Sequence, residues 1–208
     1  MDFKIIVATA NHTKYAPAIS AMISEASRKR GTGIANRTAA YIEQKMQEKH
    51  AILALYRGTV AGFCYIETWS HHKYVANSGL IVANHFQHQG LAAKIKTKAF
   101  ELSKSLYPDS KLFGITTSLP VMKINSALGY KPVTFSELTD DKDFWKGCQG
   151  CKNIDILKRN DHKMCLCTGM LYQPNGEIKM APEPKKKRWK QFKSFFVERA
   201  KRLKKLKI

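Results

Sequence analysis

The sequence predicts an α/β fold, with a mixed central sheet of about six to seven strands and flanking helices. Short runs rich in β-branched residues alternate with segments whose apolar residues recur at helical spacing. Three strand-like runs follow one another in the first half, which favours an antiparallel meander, whereas strands alternate with helices in the second half, which requires parallel pairing. A glycine-bearing turn at a strand-to-helix junction is the third observation.

The first half of the chain is expected to form a strand, two helices and the meander. Gly31 and Gly33 separate the two helical segments. Gly58 stands in the short connection between the first two meander strands, which is typical of a hairpin. The predicted elements are strand 4–8, helix 11–30, helix 37–48 and strands 51–56, 60–69 and 74–83.

The second half is expected to alternate helices and strands, and Gly129 ends its second helix. A binding site is expected where the mixed sheet splays. The predicted elements are helix 91–106, strand 111–117, helix 121–128 and strand 131–138.

Length and composition predict one domain with an appendage, since the chain has 208 residues and is 44% hydrophobic. No stretch approaches the roughly 20 apolar residues of a membrane-spanning helix, and the first apolar run is too short for a secretion signal. We therefore expect a cytoplasmic protein. Five cysteines without an export signal favour reduced thiols or a metal site over disulfides.

Residues 87–92 (QHQGLA) carry the most informative motif, Gln/Arg-x-x-Gly-x-Gly/Ala between a strand and a helix. A glycine there lets the backbone approach a ligand, and the first N–H groups of the helix point at the same place with the helix dipole behind them. The motif predicts a pyrophosphate cradle. The alternative is a helix start with a tight turn and no ligand.

Through this motif, and through the Gly129-Tyr130 pair that follows its last helix, residues 3–138 resemble the GNAT (GCN5-related) N-acetyltransferase superfamily. The resemblance implies that the chain binds acetyl or another acyl coenzyme A as co-substrate. It also implies that strand residues Leu80, Ile81 and Val82 pair with the pantetheine arm and donate to the thioester carbonyl. The residues it places at the pyrophosphate are Gln87, Gly90, Leu91, Ala92 and Ala93.

The catalytic groups are less completely specified. Many members of the superfamily have a tyrosine four residues before the glycine, where it protonates the departing thiolate, but this chain has Asn125. Asparagine can donate a hydrogen bond but supplies no proton, so another acid, water or positioning alone must serve. Glu67, on the meander among apolar neighbours that could raise its pKa, is the candidate base, and a solvated glutamate on the strand face is the alternative.

Three residues are candidates for binding the acceptor. Arg30 and Arg37 flank a glycine-rich loop and could hold a carboxylate, or they could serve helix capping and solubility. Asn77 precedes the cofactor strand and could orient an acceptor, or be an ordinary strand polar group. The expected acceptor is the amine of a small molecule such as an amino acid. The alternatives are a protein amine, or a non-catalytic protein that binds coenzyme A and acts through its other surfaces.

Four cysteines lie close together after the predicted core. They form two closely spaced pairs, Cys148 with Cys151 and Cys165 with Cys167, an arrangement that suits tetrahedral coordination of zinc. Free buried thiols are the alternative. Through the sequences FSELTDD at 135–141 and FWKGC at 144–148, the region from residue 139 to 174 also resembles an extension in a bacterial GNAT subgroup. That subgroup is linked with N-acylation in arginine biosynthesis, which makes glutamate a candidate acceptor. The candidate zinc ligands are Cys148, Cys151, Cys165 and Cys167.

The predicted organisation has three parts: a GNAT core at 1–138, a Cys-rich extension packed on it at 139–181, and a basic amphipathic tail at 182–208. Half of the net charge of +20 lies in residues 183–208, which hold 12 Lys or Arg and 2 acids. With its aromatic residues, the tail suits an anionic membrane surface. A mobile solvated tail is the alternative. Nucleic acid is a less favoured partner that the sequence does not exclude. The sequence also allows a homodimer.

Overall fold

The computed structural model describes residues 1–30, 34–139 and 141–174. Its strands are β1 (Lys4–Val7), β2 (Ala51–Tyr56), β3 (Thr59–Trp69), β4 (Tyr74–Val82), β5 (Lys111–Thr116), β6 (Lys131–Val133) and β7 (Thr168–Tyr172). Its α-helices are α1 (Ala16–Arg30), α2 (Ala39–Gln47), α3 (Leu91–Leu106), α4 (Leu119–Ala127), α5 (Lys142–Lys146) and α6 (Ile154–Arg159).

The described strands form one seven-stranded sheet in the order β1-β2-β3-β4-β5-β7-β6. Strands β1 to β4 pair antiparallel in sequence order, β4 and β5 pair parallel, and β7 pairs antiparallel with both β5 and β6. The predicted α/β class and the mixed sheet with flanking helices are therefore confirmed.

Strands β4 and β5 separate after a short paired stretch. Their pairing ends at Ala76 and Phe113, although β4 continues to Val82. Beyond that point β5 pairs with β7 on its other side. Within the described part of the chain, no strand therefore covers the β5-facing edge of β4 after residue 76, and a wedge-shaped gap opens in the sheet.

Helices cover both faces of the sheet because side chains alternate along each strand. On β3, Phe63 and Tyr65 pack into the cluster formed with α1 and α2. Cys64, between them, packs on the opposite face with Leu91 and Ile95 of α3. The gap between β4 and β5 thus lies between two helical layers.

The region after residue 138 contributes more to the sheet than its sequence pattern predicts. Strand β7 inserts between β5 and β6, and Met170 and Leu171 join the clusters on opposite faces. The strand predicted at 131–138 is shorter, since it ends at Val133 and a 3-10 turn follows over Phe135–Glu137. The boundaries at 138 and 181 remain predictions.

The predicted tail at 182–208 lies outside the described residues. Among the helices of the described part, none is both long and apolar enough to cross a membrane.

Candidate functional site

A cavity of about 250 Å³ occupies the gap between β4 and β5. One wall is the free edge of β4, and the other is the part of β5 that pairs only with β7. Helices α3 and α4 contribute Lys96 and Asn125 to its lining, and the extension contributes its four cysteines. The strand residues that line it are Ala76, Asn77, Ser78, Gly79, Leu80 and Ile81 of β4 and Phe113, Gly114, Ile115 and Thr116 of β5.

A bulge in β4 shapes the cavity wall. Phe63 of β3 is opposite Ile81, but Tyr65 is opposite Ser78, so β4 has one residue more than β3 in this interval. Gly79, within the bulge, has a φ of +63°, a left-handed conformation that glycine adopts without strain. The predicted cofactor residues 80–82 therefore lie on an unpaired edge, where an extended amide-bearing ligand could add as a strand.

The N-terminus of α3 provides unpaired amide groups. Gly90, with a φ of +74°, precedes the helix, and no side chain of the described residues caps it. The first helical bond runs from Lys94 N to Gly90 O at 3.3 Å. The amides of Leu91, Ala92 and Ala93 consequently have no acceptor within the helix and carry the positive end of its dipole, as the motif predicts for an anion site.

Gln87 has a structural function in the same loop. Its side-chain Nε2 donates to Val82 O and to Asn84 Oδ1, both at 3.1 Å, and its backbone N–H points at Asn84 O at 3.4 Å. These bonds tie the loop to the end of β4. The structure thus gives Gln87 a part in shaping the loop, while its predicted contact with a pyrophosphate remains a prediction.

A cation and a carboxylate lie together on the α1 and α2 side of the cavity. Arg37 Nε donates to the hydroxyl of Tyr65 at 2.8 Å, and the guanidinium lies over the rings of Tyr41 and Tyr65, 5.3 and 5.8 Å from their centroids. The Tyr41 hydroxyl donates to Glu67 Oε1. Burial, with the Glu67 charge nearby, raises the pKa of both phenols, so they stay protonated.

The position of Arg37 depends on contacts with α1. Ser20 Oγ donates to the Arg37 carbonyl at 2.7 Å. Burial opposes the guanidinium charge, but Tyr65 and Glu67 raise its pKa and keep it cationic. Its Nη1 donates to Asn36 O at 3.0 Å, while among the described residues Nη2 has no acceptor. An anionic group in the cavity could take that place.

The other predicted arginine is not placed by the structure. Arg30 is the last residue of α1, but its side chain lies outside the description, as do residues 31–33. Sequence reasoning missed Tyr41 and Tyr65 as site residues, because Tyr41 belongs to the apolar stripe of α2 and Tyr65 to an apolar strand. Their hydroxyl partners are 26 and 28 positions away, so no local pattern marks them.

Asn77 lines the cavity, but its side-chain groups have partners within the protein, and its predicted role of orienting an acceptor stays a prediction. Its Nδ2 donates to Ser103 Oγ at 2.7 Å, and its Oδ1 accepts from the Tyr130 hydroxyl at 3.2 Å. Its carbonyl accepts from Lys96 Nζ at 3.1 Å. The side chain is therefore occupied by a buried network on the α3 side of the sheet, and this network fixes β4 at the point where β5 leaves it.

Asn125 lines the cavity from α4 and is 2% exposed. Its Nδ2 lies 3.6 Å from Met170 Sδ, and its Oδ1 has no hydrogen-bond partner among the described residues. A buried acceptor without a partner is uncommon in proteins and can receive a hydrogen bond from a ligand. The side chain has no ionisable proton.

The four cysteines of the extension lie next to the Arg37 side of the cavity. All are unbridged. Burial and the neighbouring thiols raise the pKa of Cys148 to about 11 and that of Cys167 to about 12. Among the described residues, no group of three or more His, Cys, Asp or Glu side chains has an arrangement that could hold a metal ion. The zinc site stays a prediction from residue spacing.

No family model and no curated protein matches the chain. N-acetylglutamate synthase from Neisseria gonorrhoeae, solved with coenzyme A and N-acetyl-glutamate, superposes with a TM-score of 0.61 at 14% identity, over 85% of this chain and 36% of that one. Phosphinothricin acetyltransferase of the GNAT superfamily from Sinorhizobium meliloti, solved with acetyl-CoA, superposes with a TM-score of 0.57 at 14% identity. The match covers 88% of this chain and 95% of that one. An N-acetyltransferase from Staphylococcus aureus superposes with a TM-score of 0.57 at 14% identity, over 84% of this chain and 100% of that one.

These likenesses establish the fold, which is that of the GNAT acetyltransferases. The chain spans about a third of the length of the Neisseria synthase.

Proposed function

We propose that this protein is an N-acyltransferase that moves an acetyl or other short acyl group from acyl coenzyme A to the amine of a small molecule. The observation that carries the proposal is the unpaired edge of β4, which leads to the uncapped N-terminus of α3. An extended arm with amide groups suits the edge of β4, and a diphosphate suits the N-terminus of α3. Coenzyme A has such an arm next to its thioester, and the diphosphate follows the arm.

The thioester carbonyl would lie near the β4 bulge. A backbone N–H of residues 80–82 would donate to its oxygen and stabilise the negative charge that develops when the amine attacks. The bulge interrupts the regular ladder of β3 and β4 beside these residues, and the low-dielectric walls of the cavity strengthen the interaction.

The acceptor would enter from the side of Arg37 and Glu67. Glu67 lines the cavity, and the described residues engage only its Oε1, through the Tyr41 hydroxyl. Its other oxygen can take a proton from the incoming ammonium, directly or through water. Arg37, with Nη2 open, would hold a carboxylate of the acceptor. An amino acid such as glutamate fits these two charges, and a lysine side chain of a protein is the second choice.

The test is to incubate the full chain with acetyl coenzyme A and a panel of amino acids and simple amines. Coenzyme A and acetylated amine should be measured by chromatography with mass detection, because the five cysteines would react with thiol reagents. We expect equal amounts of both products with at least one amine. Binding of acetyl coenzyme A without any product would instead identify a non-catalytic protein.

The base is tested by Glu67→Gln, which keeps the size of the side chain and removes its basicity. General base catalysis contributes about 10² to 10⁴-fold, so we expect kcat to fall in that range. Glu101→Gln, at an exposed position on α3 away from the cavity, is the matched control and should leave kcat unchanged. If Glu67→Gln retained full activity, water and not Glu67 would be the group that removes the proton from the acceptor ammonium.

A further inference from the structure

Lys96 places a buried amino group where β4 and β5 part. The residue lies on α3, is 2% exposed and lines the cavity. Its Nζ donates to the carbonyl of Asn77 at 3.1 Å, and Asn77 is the first β4 residue after the last β4–β5 pair. Lysine is rarely buried without an anionic partner, because removing its charge from water is costly.

Within the described part of the chain, Lys96 has no carboxylate partner. None of the salt bridges among the described residues includes it. Cys64 of β3 faces it with a thiol that donates to Ser78 O at 3.3 Å, and the Tyr130 ring lies 5.6 Å from its Nζ. Burial raises the pKa of Cys64 to about 11, so that thiol is protonated and supplies no charge. Asn77 and Ser103 complete the polar groups nearby.

The amino group is incompletely hydrogen-bonded. An ammonium has three donors, and the described residues offer Lys96 one acceptor, the Asn77 carbonyl. Burial lowers its pKa, so the lysine releases a proton more readily than an exposed one. The remaining N–H groups are available to a ligand atom at the apex of the gap.

Resting on the acyl transfer proposed above, we propose that Lys96 is the catalytic acid that protonates the coenzyme A thiolate as it leaves. Direct transfer expels a thiolate into a cavity where an isolated charge is costly. With the carbonyl at residues 80–82, the sulfur lies near the bulge, next to the Asn77 carbonyl that holds Lys96. Asn125, which also lines the cavity, cannot supply a proton.

The reaction balances as follows. Glu67 or water removes one proton from the acceptor ammonium, and the free amine attacks the thioester carbon. The C–N bond forms, the C–S bond breaks, and Lys96 gives its proton to the sulfur. The ammonium of Lys96 thereby becomes a neutral amine and the coenzyme A thiolate becomes a neutral thiol, so two opposite buried charges disappear in one step. The second proton lost by the acceptor nitrogen returns to Lys96, and the first passes to solvent.

The test compares the full chain with Lys96→Met, which keeps the length of the side chain, and with Lys98→Met, an exposed position on the same helix. We expect Lys96→Met to lower kcat by about 10²-fold or more while the Kd for acetyl coenzyme A changes by less than about threefold. Lys98→Met should match the wild type. The fall of kcat at high pH, as Lys96 loses its proton, should disappear in Lys96→Met.

Chemical rescue provides a second readout. Trimethylammonium has as many heavy atoms as Lys96→Ala removes, and it cannot form an amide product. We expect it to restore turnover to Lys96→Ala in a saturable manner and to have no effect on Lys98→Met. Undiminished turnover in Lys96→Met, or absence of rescue in a folded Lys96→Ala, would overturn the proposal.

Failure of the proposed function would look different, because the wild type itself would then give no acetylated amine, and the assignment of Lys96 would end with it. Should neither Lys96 variant fold, the wild-type pH profile decides, since a kcat constant up to pH 10.5 would exclude a lysine acid whose pKa is lowered below that value.

Discussion

Gly79 lies directly beneath the ring of Tyr65. A β-carbon built at residue 79 would lie 2.7 Å from Cδ1 of that ring, well inside van der Waals contact. The same ring carries the hydroxyl that accepts from Arg37 Nε at 2.8 Å. The bulge in the proposed cofactor strand therefore also sets the position of the cation at the proposed acceptor side, so a change in one should be felt in the other.

We expect Gly79→Ala to destabilise the protein and to reduce activity. The left-handed backbone at residue 79 costs a residue with a side chain about 1–2 kcal/mol, and the clash with the ring adds about 1–3 kcal/mol. For a chain of this size we expect the Tm to fall by about 5 °C or more. Gly150→Ala is the control, because its β-carbon would meet nothing within 4 Å. Equal melting temperatures for the two variants would contradict this account.

Gly90→Val should weaken coenzyme A binding through the backbone of the loop. A β-branched residue resists a φ of +74° and would turn the amides at the start of α3 away from the diphosphate. Gly58→Val is the matched control: its φ is +79°, its β-carbon also has open space, and it lies in the turn between β2 and β3 instead of at the start of α3. Calorimetry should give a Kd at least about tenfold higher for Gly90→Val alone. A similar Kd for both variants would mean that the diphosphate does not bind at the N-terminus of α3.

Arg37→Met should raise KM for acceptors that carry a carboxylate. A hydrogen bond to a charged group contributes about 1.5–3 kcal/mol, which corresponds to about a tenfold to hundredfold increase in KM. Lys45→Met is the control, since Lys45 also lies over the Tyr41 ring, 5.4 Å from its centroid, but does not line the cavity. If KM rose equally for amines without a carboxylate, Arg37 would be a structural residue of the Tyr41 and Tyr65 cluster.

Lys96→Met should stabilise the protein at neutral pH. The pKa of Lys96 is lowered on folding, so the unfolded chain binds more protons than the folded chain between the folded pKa and 10.5. The contribution of Lys96 to stability therefore rises with pH across that window, and the advantage of the variant should shrink. Denaturant unfolding of both proteins at several pH values measures this difference. An advantage that stays constant up to pH 10.5 would mean that Lys96 has an ordinary pKa.

Residues 183–208 are predicted to bind anionic membranes. A basic residue near such a surface contributes about 1 kcal/mol, and this segment holds 12 of them. The full chain should sediment with vesicles that contain phosphatidylserine and be released by salt, whereas a chain ending at residue 182 should stay in the supernatant. Binding to vesicles of neutral lipid alone would contradict an electrostatic mechanism.

The sequence predicted several elements closely, because their periodic patterns are local. Strand 51–56 and helix 91–106 have the predicted bounds, and the motif at 87–92 lies before an uncapped helix as expected. Strand β7 was missed, since its five residues lie within a cysteine-rich region and their pairing partners are on β5 and β6. A short strand of this kind is defined by its neighbours more than by its own pattern.

The sequence by itself determined the α/β class, the mixed sheet and the glycine-bearing loop at the start of α3, because each depends on residues adjacent in the chain. Only the tertiary structure decided which polar groups share the cavity. Arg37 meets Tyr65 from 28 positions away, and Lys96 reaches the Asn77 carbonyl from 19. Such contacts arise when β4 and β5 diverge between two helical layers, and burial then gives the enclosed groups properties that their local sequence does not encode.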